Sequence, residues 1–189
     1  MVEGKTCLIT GASDGIGKET ALSLAAEGAK VIIVGRNQEK CENAVLEIIR
    51  TTQNNDVDFL LADLSLLSEV NSLAERILYG YRHLDILVNN VGAFFRKREL
   101  TEEGLERTFA LNHLSYFLLT HKLIPLLEHS SSARIVNVAS IAHLRTDMDF
   151  ENLNGEKNWS WYSGGWNAYC RSKLANIMFT YHLSTKLKD

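Results

Sequence analysis

A chain of 189 residues, 46% apolar and 23% charged, has the length and composition of one globular domain with a sizeable core. Its net charge of −3 gives no electrostatic case for nucleic acid or an anionic membrane, and no apolar run approaches the ~20 residues of a membrane span. Three cysteines without C-x-x-C spacing read as free thiols of a reducing, cytoplasmic compartment, and six histidines without ligand spacing give no metal site.

The first predicted strand, Lys5 to Ile9, starts so close to Met1 that no signal peptide or anchor is expected before it. Thr10 to Gly17, TGASDGIG, follows, and then Ile16, Thr20, Ala21, Leu24 and Ala25 recur at helical spacing. A strand, three glycines and a helix start form the arrangement that binds a nucleotide pyrophosphate. Gly11 allows the tight turn, Gly15 the approach of phosphate, and Gly17 close packing of helix on strand. Lys30 to Val34 is a second strand, and Asn37 caps a helix with apolar face Ala44, Val45, Ile48 and Ile49. Val57 to Leu61 is a third strand, leading to Asp63. Ser65 or Ser68 then precedes a helix carrying Val70, Leu73, Ala74, Ile77 and Leu78. Leu84 to Val88 is a fourth strand, followed by Asn89-Asn90-Val91-Gly92. A long helix is expected from about Thr101 to Leu127, a fifth strand over Arg134 to Ala139, a loop over Ile141 to Trp166, and a last helix over Asn167 to Leu187. Nearly all-apolar strands alternating with helices predict an α/β fold. It is a doubly wound parallel sheet of Rossmann type with strand order 3-2-1-4-5, in one dinucleotide-binding domain over 1–189.

The end of the second strand meets the adenosine ribose in such a fold, and an acid there favours NAD. Here it reads Val34-Gly35-Arg36-Asn37. Arg36 offers a charged donor fork for the 2′-phosphate of NADP, and Ser13 adds a hydroxyl. Tyr169 and Lys173, four apart, share a helix face. Asp63, Asn89-Asn90-Val91-Gly92, Asn112 and Ser140 precede them in an order that a parallel sheet brings to one edge.

In this ordered set the chain resembles the short-chain dehydrogenase/reductase family. Leu111-Asn112-His113-Leu114, Phe117-Leu118-Leu119-Thr120, a long insert after Ser140, and Ala168-Tyr169-Cys170-Arg171-Ser172-Lys173-Leu174-Ala175-Asn176 resemble its retinol-dehydrogenase-like carbonyl reductases. Val91 departs from the family's usual alanine. The resemblance implies Tyr169 as general acid and base, with Lys173 lowering its proton affinity and holding the nicotinamide ribose. It implies Ser140 as donor to the substrate oxygen and Asn112 as support for a water-linked path to Lys173. Asp63 would sit by the adenine and Asn90 by the ribose, and Gly11, Ser13, Gly15, Ile16, Gly17, Arg36 and Gly92 complete the cofactor contacts. A tyrosine shifted by ~3 units needs about 4 kcal/mol of preference for phenolate, which one cation at roughly 4 Å supplies at an effective dielectric near 20.

Trp159, Trp161 and Trp166 suit either a substrate entrance or loop packing, and His113 and His143 suit structural roles. Phe94 to Arg98 is a solvated basic loop, and Cys170 an inert buried thiol. The family continues past the Tyr/Lys helix with further strands, so a shortened chain is expected, weakly active alone and with an open fifth strand. Two functions stay open: an NADP-dependent oxidoreductase of apolar alcohols and their aldehydes or ketones, and a non-catalytic nucleotide-binding or interaction module. Apolar helix faces permit a homodimer.

Overall fold

Short apolar runs rich in β-branched residues supply the sheet. In the computed structural model, which describes residues 2–157, 159–160 and 163–187, they are β1 (Thr6–Thr10), β2 (Lys30–Gly35), β3 (Val57–Leu61), β4 (Ile86–Asn89) and β5 (Arg134–Asn137). Their order is β3-β2-β1-β4-β5, as the sequence predicts. The pairing is parallel, with Leu8 opposite Ile32 on one side and Leu87 on the other. β1 is buried throughout and β2 everywhere except Lys30, as expected for strands covered on both faces.

The helices are α1 (Gly15–Ala26), α2 (Gln38–Thr52), α3 (Leu67–Gly80), α4 (Arg107–Phe109), α5 (Ser115–Glu128) and α6 (Gly164–Lys186). Asn37 caps α2 by accepting from Lys40 N at 2.9 Å. α1 departs from its predicted apolar face: Gly17, Ala21 and Ala25 are buried, whereas Ile16 is 73% exposed. Small side chains let this helix lie close on the sheet, which leaves the larger Ile16 outside the contact.

The long helix expected from Thr101 begins instead at Arg107. Gly104 sits at φ 77°, and Thr101 N bonds Leu105 O, so residues 101–105 close a turn. Glu106 provides the cap, accepting from Thr108 N and Phe109 N. Between α4 and α5 the residues Ala110–Leu114 form a π-helical turn that the sequence does not announce. β5 stops at Asn137, two residues short of its predicted end. Two 3₁₀ turns, Ile141–Arg145 and Phe150–Asn152, interrupt the predicted loop, and α6 starts three residues early.

The described residues group into two compact units. One comprises Met1–Asp63, Ser68–Val91 and Leu119–Val136, and the other Leu64–Leu67, Gly92–Leu118 and Asn137–Asp189. In the first, Cys7, Ile9, Val31 and Ile33 pack with Ala21, Ala25, Ala44 and Ile48 into a fully buried core. The second is built around α6, whose buried residues include Ala168, Cys170, Ala175 and Phe179.

Candidate active site

In the first unit, the turn after β1 is clamped to the turn after β4. Asn90 Nδ2 donates to Thr10 O at 2.8 Å and to Gly11 O at 3.1 Å. Thr10 Oγ1 accepts from Asn90 N at 2.9 Å and Val91 N at 3.1 Å. Gly11, at φ 65°, lies so close to Val91 that a Cβ would come within 2.7 Å of its Cα. At Gly17 a Cβ would stand 2.5 Å from Asn90 Nδ2 and from Gly11 O, so only glycine lets α1 meet the turn. Gly15, at φ 55°, instead has open space where a Cβ would be. This open space lies beside the start of α1, where free N–H groups would meet a pyrophosphate.

Next to it, Ser13 Oγ lies 3.4 Å from where a Cβ on Gly35 would be, which places the hydroxyl at the end of β2. Arg36 is exposed there, with Asp63 Oδ2 4.0 Å from its Nη1. Asp63 N donates to Glu69 Oε2 at 2.6 Å. Lys40, in the first turn of α2, reaches Asp14 Oδ2 at 3.3 Å and adds a second cation to this end of the strand. Ser13, Arg36 and Lys40 thus stand together at the end of β2, where the residues present would meet a dinucleotide.

The second unit carries the proton-transfer candidates. Tyr169 and Lys173 project from one face of α6. Lys173 is 3% exposed, and its ammonium donates to Val138 O at 3.1 Å and lies 5.8 Å from the ring centres of Tyr116 and Tyr169. No carboxylate pairs with it among the described residues. Burial lowers its pKa from 10.5 to about 8. Asn112 Oδ1 and Lys173 Nζ each lie 3.4 Å from where a Cβ on Gly92 would be, so Gly92 borders both groups.

Asn112 sits within the π-helical turn and is fully buried. Its side chain accepts from Ala93 N at 2.9 Å and donates to Ala93 O at 3.0 Å and Ser172 Oγ at 3.1 Å. Its carbonyl accepts from Asn176 Nδ2 at 2.9 Å. Ser172 in turn donates to Tyr169 O at 2.7 Å. Asn112 therefore holds Ala93 and the tyrosine helix together, with both donors of its side-chain amide engaged. Ser140 caps the turn Ile141–Arg145, accepting from Ala142 N at 3.2 Å. That leaves its hydroxyl proton for another acceptor.

Trp166 stacks on Tyr169 with ring centres 5.8 Å apart, and Phe94 meets both rings edge-on at 6.3 Å. Trp159 packs against Gly155 and Gly164 instead, and Trp161 lies outside the described residues. His113 is half-buried among Phe109, Phe117 and Phe179, and desolvation lowers its pKa against the bond to Asn176. His143 bonds the Ser140 carbonyl. In the basic run, Arg98 donates to Asn154 O at 2.8 Å and the Phe95 ring lies 4.5 Å from the Arg107 guanidinium. Burial raises the Cys170 pKa, which keeps the thiol protonated.

Sequence reasoning missed Tyr116, Ser172, Asn176, Thr10 and Lys40. Tyr116 is buried against Lys173, and burial, with Tyr169 nearby, pushes its pKa up. Helical spacing held a signal for two of these: Tyr116 is four residues after Asn112, and Lys40 follows its cap by three. Among the described residues no helix is long and apolar enough to cross a membrane, and no group of three His, Cys, Asp or Glu is placed to hold a metal.

The short chain dehydrogenase family model matches residues 5–151. Retinol dehydrogenase 13 of Homo sapiens is 40% identical over 190 residues, covering 99% of this chain and 56% of that protein. Human retinol dehydrogenase 11 is 44% identical over 188 residues, covering 100% of this chain and 58% of that protein. The chain thus spans a little over half the length of these relatives. A crystal structure of a Mycobacterium paratuberculosis protein superposes with a TM-score of 0.84 at 37% identity, covering 98% of this chain and 63% of that one. The Pseudomonas aeruginosa RhlG/NADP active-site complex gives 0.78 at 30% identity, covering 98% and 68%. With the family model matched over most of its length and its sheet order shared, the chain belongs to the short-chain dehydrogenase family, and its likeness within that family is to the retinol dehydrogenases.

Proposed function

We propose that this chain carries the cofactor-binding and proton-transfer residues of an NADP-dependent oxidoreductase that interconverts an apolar alcohol and its aldehyde or ketone. The observation that carries this reading is the buried ammonium of Lys173, unpaired by any carboxylate among the described residues and held beside Tyr169. A buried cation without a counter-ion is destabilising at rest and becomes favourable where negative charge develops.

A bound nicotinamide dinucleotide supplies or accepts the hydride. Tyr169 donates its hydroxyl proton to the carbonyl oxygen in reduction and takes it back in oxidation. A cation 5.8 Å from the ring centre stabilises the phenolate by about 3 kcal/mol at an effective dielectric near 20. Ser140, its oxygen already accepting from Ala142 N, turns its proton toward the substrate oxygen. Ser13, Arg36 and Lys40 meet the 2′-phosphate, with Arg36 supplying the planar fork. Phe94 and Trp166, 48% and 46% exposed beside Tyr169, favour an apolar substrate. The names of the retinol dehydrogenase relatives point the same way.

Replacing Tyr169 by Phe tests this reading. With NADPH and a panel of apolar aldehydes, turnover falls by roughly 10²–10⁴-fold while nucleotide binding persists. Equal rates in the two proteins contradict the proposal. A folded wild-type chain that binds nucleotide and reduces nothing supports the non-catalytic binding module instead.

A further inference from the structure

We propose that α6 carries a second site, on the face turned away from Tyr169, which takes a small organic carboxylate bearing one negative charge. Gly164, Asn167 and Arg171 lie more than about 140° around the helix axis from Tyr169. They line a cavity of about 290 Å³.

Arg171 is 8% exposed, and its guanidinium donates through Nη1 to Asn152 O at 2.9 Å. No carboxylate lies within ion-pair distance of it among the described residues. Among the described residues one carbonyl answers this planar fork, and its remaining donors are left for solvent or for a ligand in the cavity. The side-on edge of that fork matches the two oxygens of a carboxylate. The same wall contains the N-terminus of α6, where the Ser163 hydroxyl bonds Ser160 and does not cap the helix. Among the described residues the positive end of this 23-residue helix has no side-chain cap, and Gly164 N donates to Ser160 O.

The remaining charges decide which anion fits. Arg145 and Lys157 add positive charge to the wall, and Asp147 and Asp149 add negative charge. Both aspartates are exposed. With Arg171 the lining sums to one excess positive charge, so a singly charged head is matched and a polyanion meets the aspartates. The volume, at about 30 Å³ of liquid per water, exceeds a lone inorganic ion and accommodates a small organic body. Trp159 supplies the flat apolar surface against which that body rests.

The test uses the full chain and three probes at constant ionic strength: sodium benzoate, neutral benzyl alcohol and sodium citrate. Calorimetric titration is expected to show saturable benzoate binding and weaker binding of both others. Arg171→Gln weakens benzoate about tenfold or more, the loss expected for a charge-assisted hydrogen bond. Asp149→Asn, at an exposed position, strengthens it by roughly threefold through removal of a like charge. Absence of saturable benzoate binding, equal binding of benzyl alcohol, or an unchanged affinity in Arg171→Gln overturns the proposal. Should Arg171→Gln fail to fold by circular dichroism, an unchanged affinity in Asp149→Asn overturns it as well.

Discussion

Lys173 shows how one buried charge ties stability to pH. Its pKa is about 8 in the folded chain against 10.5 when solvated, with burial as the cause. Between those values the unfolded chain binds the extra proton and the native chain does not, so stability rises with pH across that window. The gain approaches about 3 kcal/mol at its upper bound. The stability difference between wild type and Lys173→Met is expected to grow from pH 8 to pH 10 in chemical denaturation, while the buried thiols of Cys7, Cys41 and Cys170, pushed up by burial, pull both proteins the other way. An equal slope in both proteins would remove Lys173 as the source. On the proposed reading, kcat for reduction is expected to fall above pH 8, where the ammonium that would steady a tyrosinate is lost. At this scale the sequence revealed the Tyr169–Lys173 pair because four-residue spacing on a helix is local. Ser172 and Asn176 were hidden because their partner, Asn112, lies 60 and 64 residues away along the chain. Only packing brings such groups together.

Helix boundaries depend on which side chain answers the first free N–H groups. Thr101 has the chemistry of a cap, yet the cap is Glu106, which is 1% exposed and accepts from Thr108 N at 2.9 Å and Phe109 N at 2.8 Å. Its own N–H donates to Asn154 Oδ1 at 3.0 Å. Glu106→Ala leaves buried N–H groups unanswered and is expected to destabilise the chain by about 2 kcal/mol in urea unfolding. Glu106→Gln, which keeps one acceptor oxygen, loses less, and identical losses would argue against the capping role. The π-helical turn over Ala110–Leu114 was not legible, because its residues are ordinary helix formers and the extra residue per turn answers to Asn112 and its partners. Strand identities were legible for the opposite reason. A run such as Lys30-Val31-Ile32-Ile33-Val34 has few alternatives to burial in a sheet.

For the whole molecule, strand order followed from alternation of strands with helices and from right-handed crossovers, rules that need no knowledge of side-chain contacts. The proposed cofactor choice lies at the same scale, since Ser13, Arg36 and Lys40 come from three segments and stand together at the end of β2. On the proposed reading, these three residues select the phosphorylated dinucleotide. Fluorescence titration of the chain with NADPH, with NADH beside it and Arg36→Ala as the variant, tests it most directly. Wild type is expected to bind NADPH at least about tenfold more tightly than NADH, and Arg36→Ala to lose most of that preference, the loss of a bidentate phosphate contact. Equal affinity for the two nucleotides, or a preference unchanged in the variant, would contradict it.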